Sequence, residues 1–147
     1  MLGDANETRL ELNLRVRDLE AASGWYARVF GVNPIYRGVD RTIDGVETAL
    51  VCFRLGGVKV WLLPRASSAA DEENEQRVGL AFMVRRPLAE LRRELVERGA
   101  NVDDTPMAGF PIDRHGVRIG RDAEFMYIRD LDNHRLEFCR ILRGQSE

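Results

Sequence analysis

The chain has 147 residues, 44% of them hydrophobic and 31% charged, and a net charge of -2. That length suits one domain or two small fused modules with an ordinary core. The arginines are scattered among acids, so no basic stripe argues for nucleic acid, and no apolar run is long enough to span a membrane. Met1 to Glu7 carries no signal-peptide pattern, so a cytoplasmic protein is expected. Cys52 and Cys139 lack CxxC spacing and sit in apolar strand patterns, which reads as two buried free thiols.

From about Thr8 to Arg17 the chain alternates. Leu10, Leu12, Leu14 and Val16 form one face; Glu11, Asn13 and Arg15 form the other. This is a half-buried strand. Asp18 can cap a helix, and Leu19, Ala22, Trp25, Tyr26, Val29 and Phe30 follow at helical spacing. Gly31 is placed to end it. Asn33 to Glu47 is polar and reads as a short strand and loop. Thr48 to Leu55 and Val58 to Leu63 read as strands, joined at Gly56-Gly57, a strong hairpin signal. Arg65 to Arg77 is small and charged without periodicity, as a linker would be.

The pattern then restarts. Val78 to Val84 reads as a strand. Leu88, Leu91 and Leu95 make a helical stripe with Val96 beside it, closed by Gly99, and Glu94 and Arg98 sit at favourable i,i+4 spacing. Asp103 to Gly120 is a loop rich in Gly, Pro and Asp, with the apolar pair Phe110-Pro111 at its centre. That pair is expected to pack as a small satellite of the core. Two strands close the chain around a turn at Asp130 to Asn133, where Asn tolerates a left-handed backbone. In the last strand Leu136 and Phe138 face one way; Arg135, Glu137 and Cys139 face the other.

The halves superpose. Glu11 to Val16 lies over Gly79 to Val84, Phe30-Gly31 over Arg98-Gly99, and Lys59-Val60-Trp61-Leu62 over Arg135-Leu136-Glu137-Phe138. The expected organisation is a first βαβββ module over 8–64, a linker over 65–77 and a second module over 78–142, with tails at 1–7 and 143–147. The expected fold class is α+β: two tandem βαβββ modules forming a curved mixed sheet around a central cavity, helices on the outside.

Arg15-Val16-Arg17-Asp18-Leu19-Glu20, followed by Trp25-Tyr26 and Val29-Phe30-Gly31, resembles the opening of a vicinal oxygen chelate module. That superfamily includes glyoxalase I, extradiol dioxygenases, methylmalonyl-CoA epimerase and the bleomycin-resistance proteins. Tyr127 to Phe138 resembles its "RDPDGNxxEF" ending, with Leu131 in place of Pro, Asn133 of Gly and His134 of Asn. The resemblance implies metal ligands at corresponding points of four strands. Those points fall on Glu11, Trp61, Gly79 and Glu137. Only Glu11 and Glu137 can bind a metal through a side chain. Two carboxylates make a hard, oxygen-only half-site, whereas zinc and iron usually need three protein ligands, often imidazole. His115 and His134 fall in a loop and a turn, where exposure is expected. No cofactor is predicted, and a divalent ion would be weakly held on Glu11 and Glu137.

The residues expected to face the concavity include Asn13, Arg15, Trp61, Met83 and Arg135, with Gly79 and Ala81 leaving space. Trp61 offers a stacking surface and Met83 adapts to an irregular ligand. This set suits a hydrophobic or aromatic small molecule, sequestered as the drug-resistance branch does it. The resemblance implies a homodimer. The alternative is a lyase, isomerase or epimerase that uses Glu11 and Glu137 as acid and base. Plainer roles compete with both: Trp61 as core filler, and Glu11 as a carboxylate held by Arg15 or Arg135.

Overall fold

The computed structural model describes residues 10–41, 46–65 and 79–142. The expected linker and both tails lie largely outside the described residues. The chain forms two compact units, Met1–Asn74 and Glu75–Glu147.

The first unit opens with β1 (Glu11–Val16). Its Leu14 and Val16 are buried and its polar alternates are exposed. Helix α1 (Leu19–Phe30) follows. The Asp18 carboxylate accepts from the Ala21 amide at 2.9 Å, satisfying one of the donors that every helix start leaves unpaired. Gly31 ends the helix in the left-handed region, φ 64°. Ala22, Trp25, Tyr26 and Val29 are buried on one stripe, with the Tyr26 ring 6.1 Å from that of Phe53. Three strands complete the unit: β2 (Tyr36–Arg41), β3 (Glu47–Leu55) and β4 (Val58–Pro64). Gly56 and Gly57 turn between the last two with φ 55° and 84°, as a two-residue hairpin loop of the left-handed kind requires. The sheet order is β1-β4-β3-β2. β1 pairs with β4 in parallel, and the remaining pairs are antiparallel.

The second unit repeats the plan. β5 (Gly79–Met83) leads to α2 (Leu88–Glu97), which buries Leu88 and Leu95 and leaves Val96 exposed. Glu94 pairs with Arg98 at 2.6 Å, at the expected spacing, and also with Arg86 at 2.6 Å. Then come β6 (Asn101–Val102), β7 (Arg118–Ile119), β8 (Ala123–Arg129) and β9 (Arg135–Ile141). The sheet runs β5-β9-β8-β6, with β7 pairing β8, and β5 pairs β9 in parallel. The stretch expected to be loop therefore contains a short strand, and Ile112 bridges to Arg118. Asn133 takes φ 63°, as its turn demands. The fold is thus α+β, two helices and nine strands in two mixed sheets, with no closed barrel among the described residues.

His134 departs from expectation. It is 3% exposed. The Asp130 carboxylate accepts from the amides of Asp132 at 2.9 Å and His134 at 2.8 Å, which winds the turn inward and takes the imidazole with it. His115 is exposed, as expected.

Leu62 is fully buried in β4, between β1 and β3. Leu62→Ala is expected to cost about 3 kcal/mol of unfolding free energy. Asp18→Ala should cost about 1 kcal/mol. Urea unfolding followed by circular dichroism measures both, and the order of the two losses should not invert.

Candidate functional site

In each unit one sheet face is covered by a helix, and the register decides which side chains lie on the other. In the first unit Asn13 faces Trp61, Trp61 faces Cys52, and Cys52 faces Tyr36. These four form one row across all four strands. The next row holds Glu11, Lys59 and Arg54. The Trp61 indole N–H donates to Glu11 Oε2 at 2.9 Å, and Lys59 Nζ lies 3.5 Å from Glu11 Oε1. The Tyr36 ring meets Trp61 edge-on, with centroids 5.7 Å apart. Cys52, in register with both rings, is fully buried, and burial pushes its thiol pKa up. Arg15 Nη1 donates to the Pro64 carbonyl at 3.3 Å.

Of the expected residues, then, Glu11, Asn13 and Trp61 come together on one face. The partners that hold Glu11 are the indole and Lys59. Trp61 is half-buried rather than sealed in a core. Tyr36 was not expected. Its signal was faint: an aromatic residue in a polar stretch, before the only Gly of its strand.

In the second unit the row is Ala81, Glu137 and Tyr127. Tyr127 stands against Glu137 in register, and burial, followed by the Glu137 charge, holds the phenol pKa above its usual value. The neighbouring rows are Gly79 with Arg135, and Met83 with Cys139, Phe125 and Arg118. Arg135 lies over the Tyr127 ring, its Cζ 4.6 Å from the centroid; Arg118 Cζ is 5.5 Å from the same centroid. Phe110 meets Phe125 edge-on at 5.1 Å, the packing expected of its loop. Met83 is 64% exposed. Burial, then Glu137, raises the Cys139 thiol pKa. Both thiols are therefore kept protonated at neutral pH, in the less nucleophilic form. Arg135, Glu137 and Met83 share this face as expected. Tyr127 and Arg118 were missed. An arginine between Val117 and Ile119 was the available signal, because apolar neighbours on both sides mark a strand that carries its charge inward.

The chain belongs to the glyoxalase/bleomycin resistance protein/dioxygenase superfamily, whose family model matches residues 9–138. No curated protein is matched by its sequence. Its fold is that of the vicinal oxygen chelate proteins. A glyoxylase/bleomycin resistance protein/dioxygenase domain from a Frankia species is 21% identical, with 93% of this chain and 92% of that one covered and a TM-score of 0.65. The fosfomycin resistance protein FosX from Listeria monocytogenes is 19% identical over 88% and 89% of the two chains, with a TM-score of 0.60. A structure of that FosX complexed with Mn(II) and sulfate matches at 15% identity over 89% of each chain, with a TM-score of 0.57. Identities this low establish a shared fold and no shared chemistry.

The Mn(II) in that FosX structure raises the question of a divalent ion here. The donors within each unit do not fit one. Among the described residues no three His, Cys, Asp or Glu side chains cluster as a metal site. Glu11 lies on the helix-free face of one unit and Glu137 on that of the other, and Glu11 already accepts from the Trp61 indole.

At the edge of the second face, Asp103 holds the start of the 103–120 segment. Its Oδ1 accepts from the Thr105 hydroxyl at 2.6 Å, and its Oδ2 from Arg129 Nε at 2.9 Å. The Thr105 hydroxyl first, with the Thr105 amide and Arg129 adding to it, brings the Asp103 pKa down to about 2 from an ordinary 3.8. A depressed carboxylate stabilises the fold above its unfolded pKa, and that contribution is lost as pH falls through the folded pKa. Asp103→Asn should lose about 2 kcal/mol at neutral pH. Its stability should also fall less steeply than wild type between about pH 4 and pH 2. Denaturant midpoints across that range check both.

Proposed function

We propose that the protein binds a hydrophobic or aromatic small molecule on its helix-free sheet surfaces, in the manner of sequestration or resistance. One observation carries this reading: Trp61 and Tyr36 stand edge to face on the open side of the first sheet, and the Trp61 N–H is tied to Glu11. A tethered indole keeps one ring plane without further loss of rotamer entropy on binding, which favours a planar guest. Asn13 beside it supplies an amide to orient polar substituents, and Arg15 lies one row further along the same face. Fosfomycin resistance proteins among the structural neighbours support a small-molecule role of this kind.

The chain holds two tryptophans, and the other, Trp25, is buried in α1. Quenching of intrinsic fluorescence by an added planar probe such as naphthol therefore reports mainly on Trp61. Trp61→Phe should remove most of the quenching. Trp61→Ala should weaken naphthol binding about tenfold, the size of one aromatic contact. Unchanged affinity in Trp61→Ala, by calorimetry, would remove Trp61 from the site.

A second reading is favoured by Tyr127, which stands against Glu137 in register. A carboxylate beside a phenol on an open sheet face can accept a proton from carbon next to a carbonyl, as isomerase, epimerase or lyase chemistry needs. In that reading Glu137 is the base. Glu11, engaged by Trp61 and Lys59, serves better to orient the indole than to move protons. Glu137→Gln keeps the shape and removes the base, so turnover of an activated carbonyl substrate should vanish with the circular dichroism unchanged. Full turnover in that variant rules the assignment out.

Kinship with an Mn(II)-bound protein also calls for elemental analysis of the purified chain. A weakly held divalent ion would use Glu11 or Glu137, and loss of bound Mn²⁺ in Glu11→Ala or Glu137→Ala would show it. In the larger assembly we expect a homodimer, which light scattering tests.

A further inference from the structure

Gly38 sits inside β2, where a glycine needs a reason. It packs no side chain and loses more backbone entropy on folding than any other residue, so a strand is weaker for holding it. Its own backbone does not demand it. The φ of Gly38 lies outside the left-handed region, and an alanine could take the same conformation. What demands it is Tyr36. Residues two apart in a strand share a face. A Cβ at position 38 would stand 2.6 Å from Tyr36 Oη, 3.0 Å from Cζ and 3.3 Å from Cε1. The phenol therefore lies along β2, in the space that a side chain at 38 would fill.

The same placement sets the angle to Trp61. The two ring centroids are 5.7 Å apart, with the planes at 61°. Leu50 stands opposite Gly38 in register, an apolar neighbour on that face. The two rings are held by different means. Trp61 is tied through its indole N–H to Glu11. The Tyr36 hydroxyl has no hydrogen-bond partner among the described residues, and 45% of the residue is exposed. Its ring is placed by the shape of the strand beneath it, and that shape is the missing side chain of Gly38.

We propose that Gly38 is a positioning residue of the aromatic site. By carrying no side chain it lets Tyr36 lie down along β2 with its ring edge-on to Trp61, and so sets the wall that a planar guest on the indole meets. The proposal rests on the aromatic-binding reading and adds to it the residue that shapes the site. A phenol ring is rigid, so its far end cannot bend away from a methyl group at 38. The whole ring must turn about its own side-chain bonds and leave its present contact with Trp61. The strand itself gains from the change, because alanine has fewer unfolded conformations to lose than glycine. Gly38→Ala therefore separates the geometry of the site from the stability of the sheet.

The test is a naphthol titration by calorimetry on the full chain, comparing wild type, Gly38→Ala, Tyr36→Ala and the double variant. Gly38→Ala should weaken naphthol binding about fivefold, within the size of one aromatic contact. Its urea midpoint should stay at or above that of wild type. Tyr36→Ala should lose a similar amount. Adding Gly38→Ala to it should cost nothing more, because no ring is left to displace. Near-UV circular dichroism without naphthol should change in Gly38→Ala and stay the same between Tyr36→Ala and the double variant. Equal naphthol affinity in wild type and a folded Gly38→Ala protein, or a loss that persists in full in the Tyr36→Ala background, overturns the proposal. Should Gly38→Ala fail to fold, Tyr36→Ala decides, since unchanged affinity there removes the wall itself. Binding that Trp61→Ala weakens and Gly38→Ala leaves intact would keep the aromatic-binding reading and sink this proposal alone. No binding by wild type removes both.

Discussion

A strand presents alternate side chains to opposite faces, and each unit has a single helix to cover one of them. Everything functional in this protein depends on that arithmetic. α1 carries the chain from β1 across the sheet to the far edge strand β2, and two antiparallel returns then bring β4 beside β1 in parallel. The helix seals Leu14, Val16, Val60 and Leu62 beneath it. The residues between them, Glu11, Asn13 and Trp61, are left on the other side without any choice of their own. The second unit obeys the same rule with β5, α2 and β9, and the residues released are Ala81, Glu137 and Tyr127.

The two faces solve the problem of partly buried polar groups in different ways. In the first unit, Glu11 is met by an indole donor and a lysine, so its charge is compensated and the indole is held still. In the second, two arginines lie against a tyrosine whose phenol is kept protonated by burial and by the Glu137 charge. The first face sets two rings beside a bonded carboxylate, and the second sets two guanidinium groups against one ring. One scaffold occurs twice, with different side chains on its two copies.

The helix ends show how local and distant interactions share the work. α1 is capped from within its own sequence by Asp18. α2 begins after Pro87, which makes no side-chain cap, and the amide of Leu88 instead donates to Glu124 Oε1 at 3.0 Å, a residue of β8. That same oxygen meets Arg140 of β9 at 3.3 Å. The start of the second helix is therefore secured by the sheet it covers, and Glu124 links α2 to both strands of the closing hairpin.

Periodicity is a local property, so the longer strands, both helices, the Gly56-Gly57 hairpin and the left-handed Asn133 could be read from the sequence alone. The repeat of the pattern revealed the duplication, alternation assigned Glu11, Asn13, Arg135 and Glu137 to open faces, and the family resemblance added Trp61. What the alternation could not supply was register between strands, because a slip leaves each strand's own pattern intact. Register decides that Tyr36 stands in the row of Trp61, that Tyr127 faces Glu137, and that Arg118 lies against Phe125. Burial of His134 was likewise illegible, since it follows from amides gathered onto Asp130 rather than from the imidazole itself. The sequence by itself determined which side chains each element would turn away from its helix. Only the tertiary structure decided which of them would meet, because hydrogen bonds and ring contacts reach a few ångströms in space and are blind to distance along the chain.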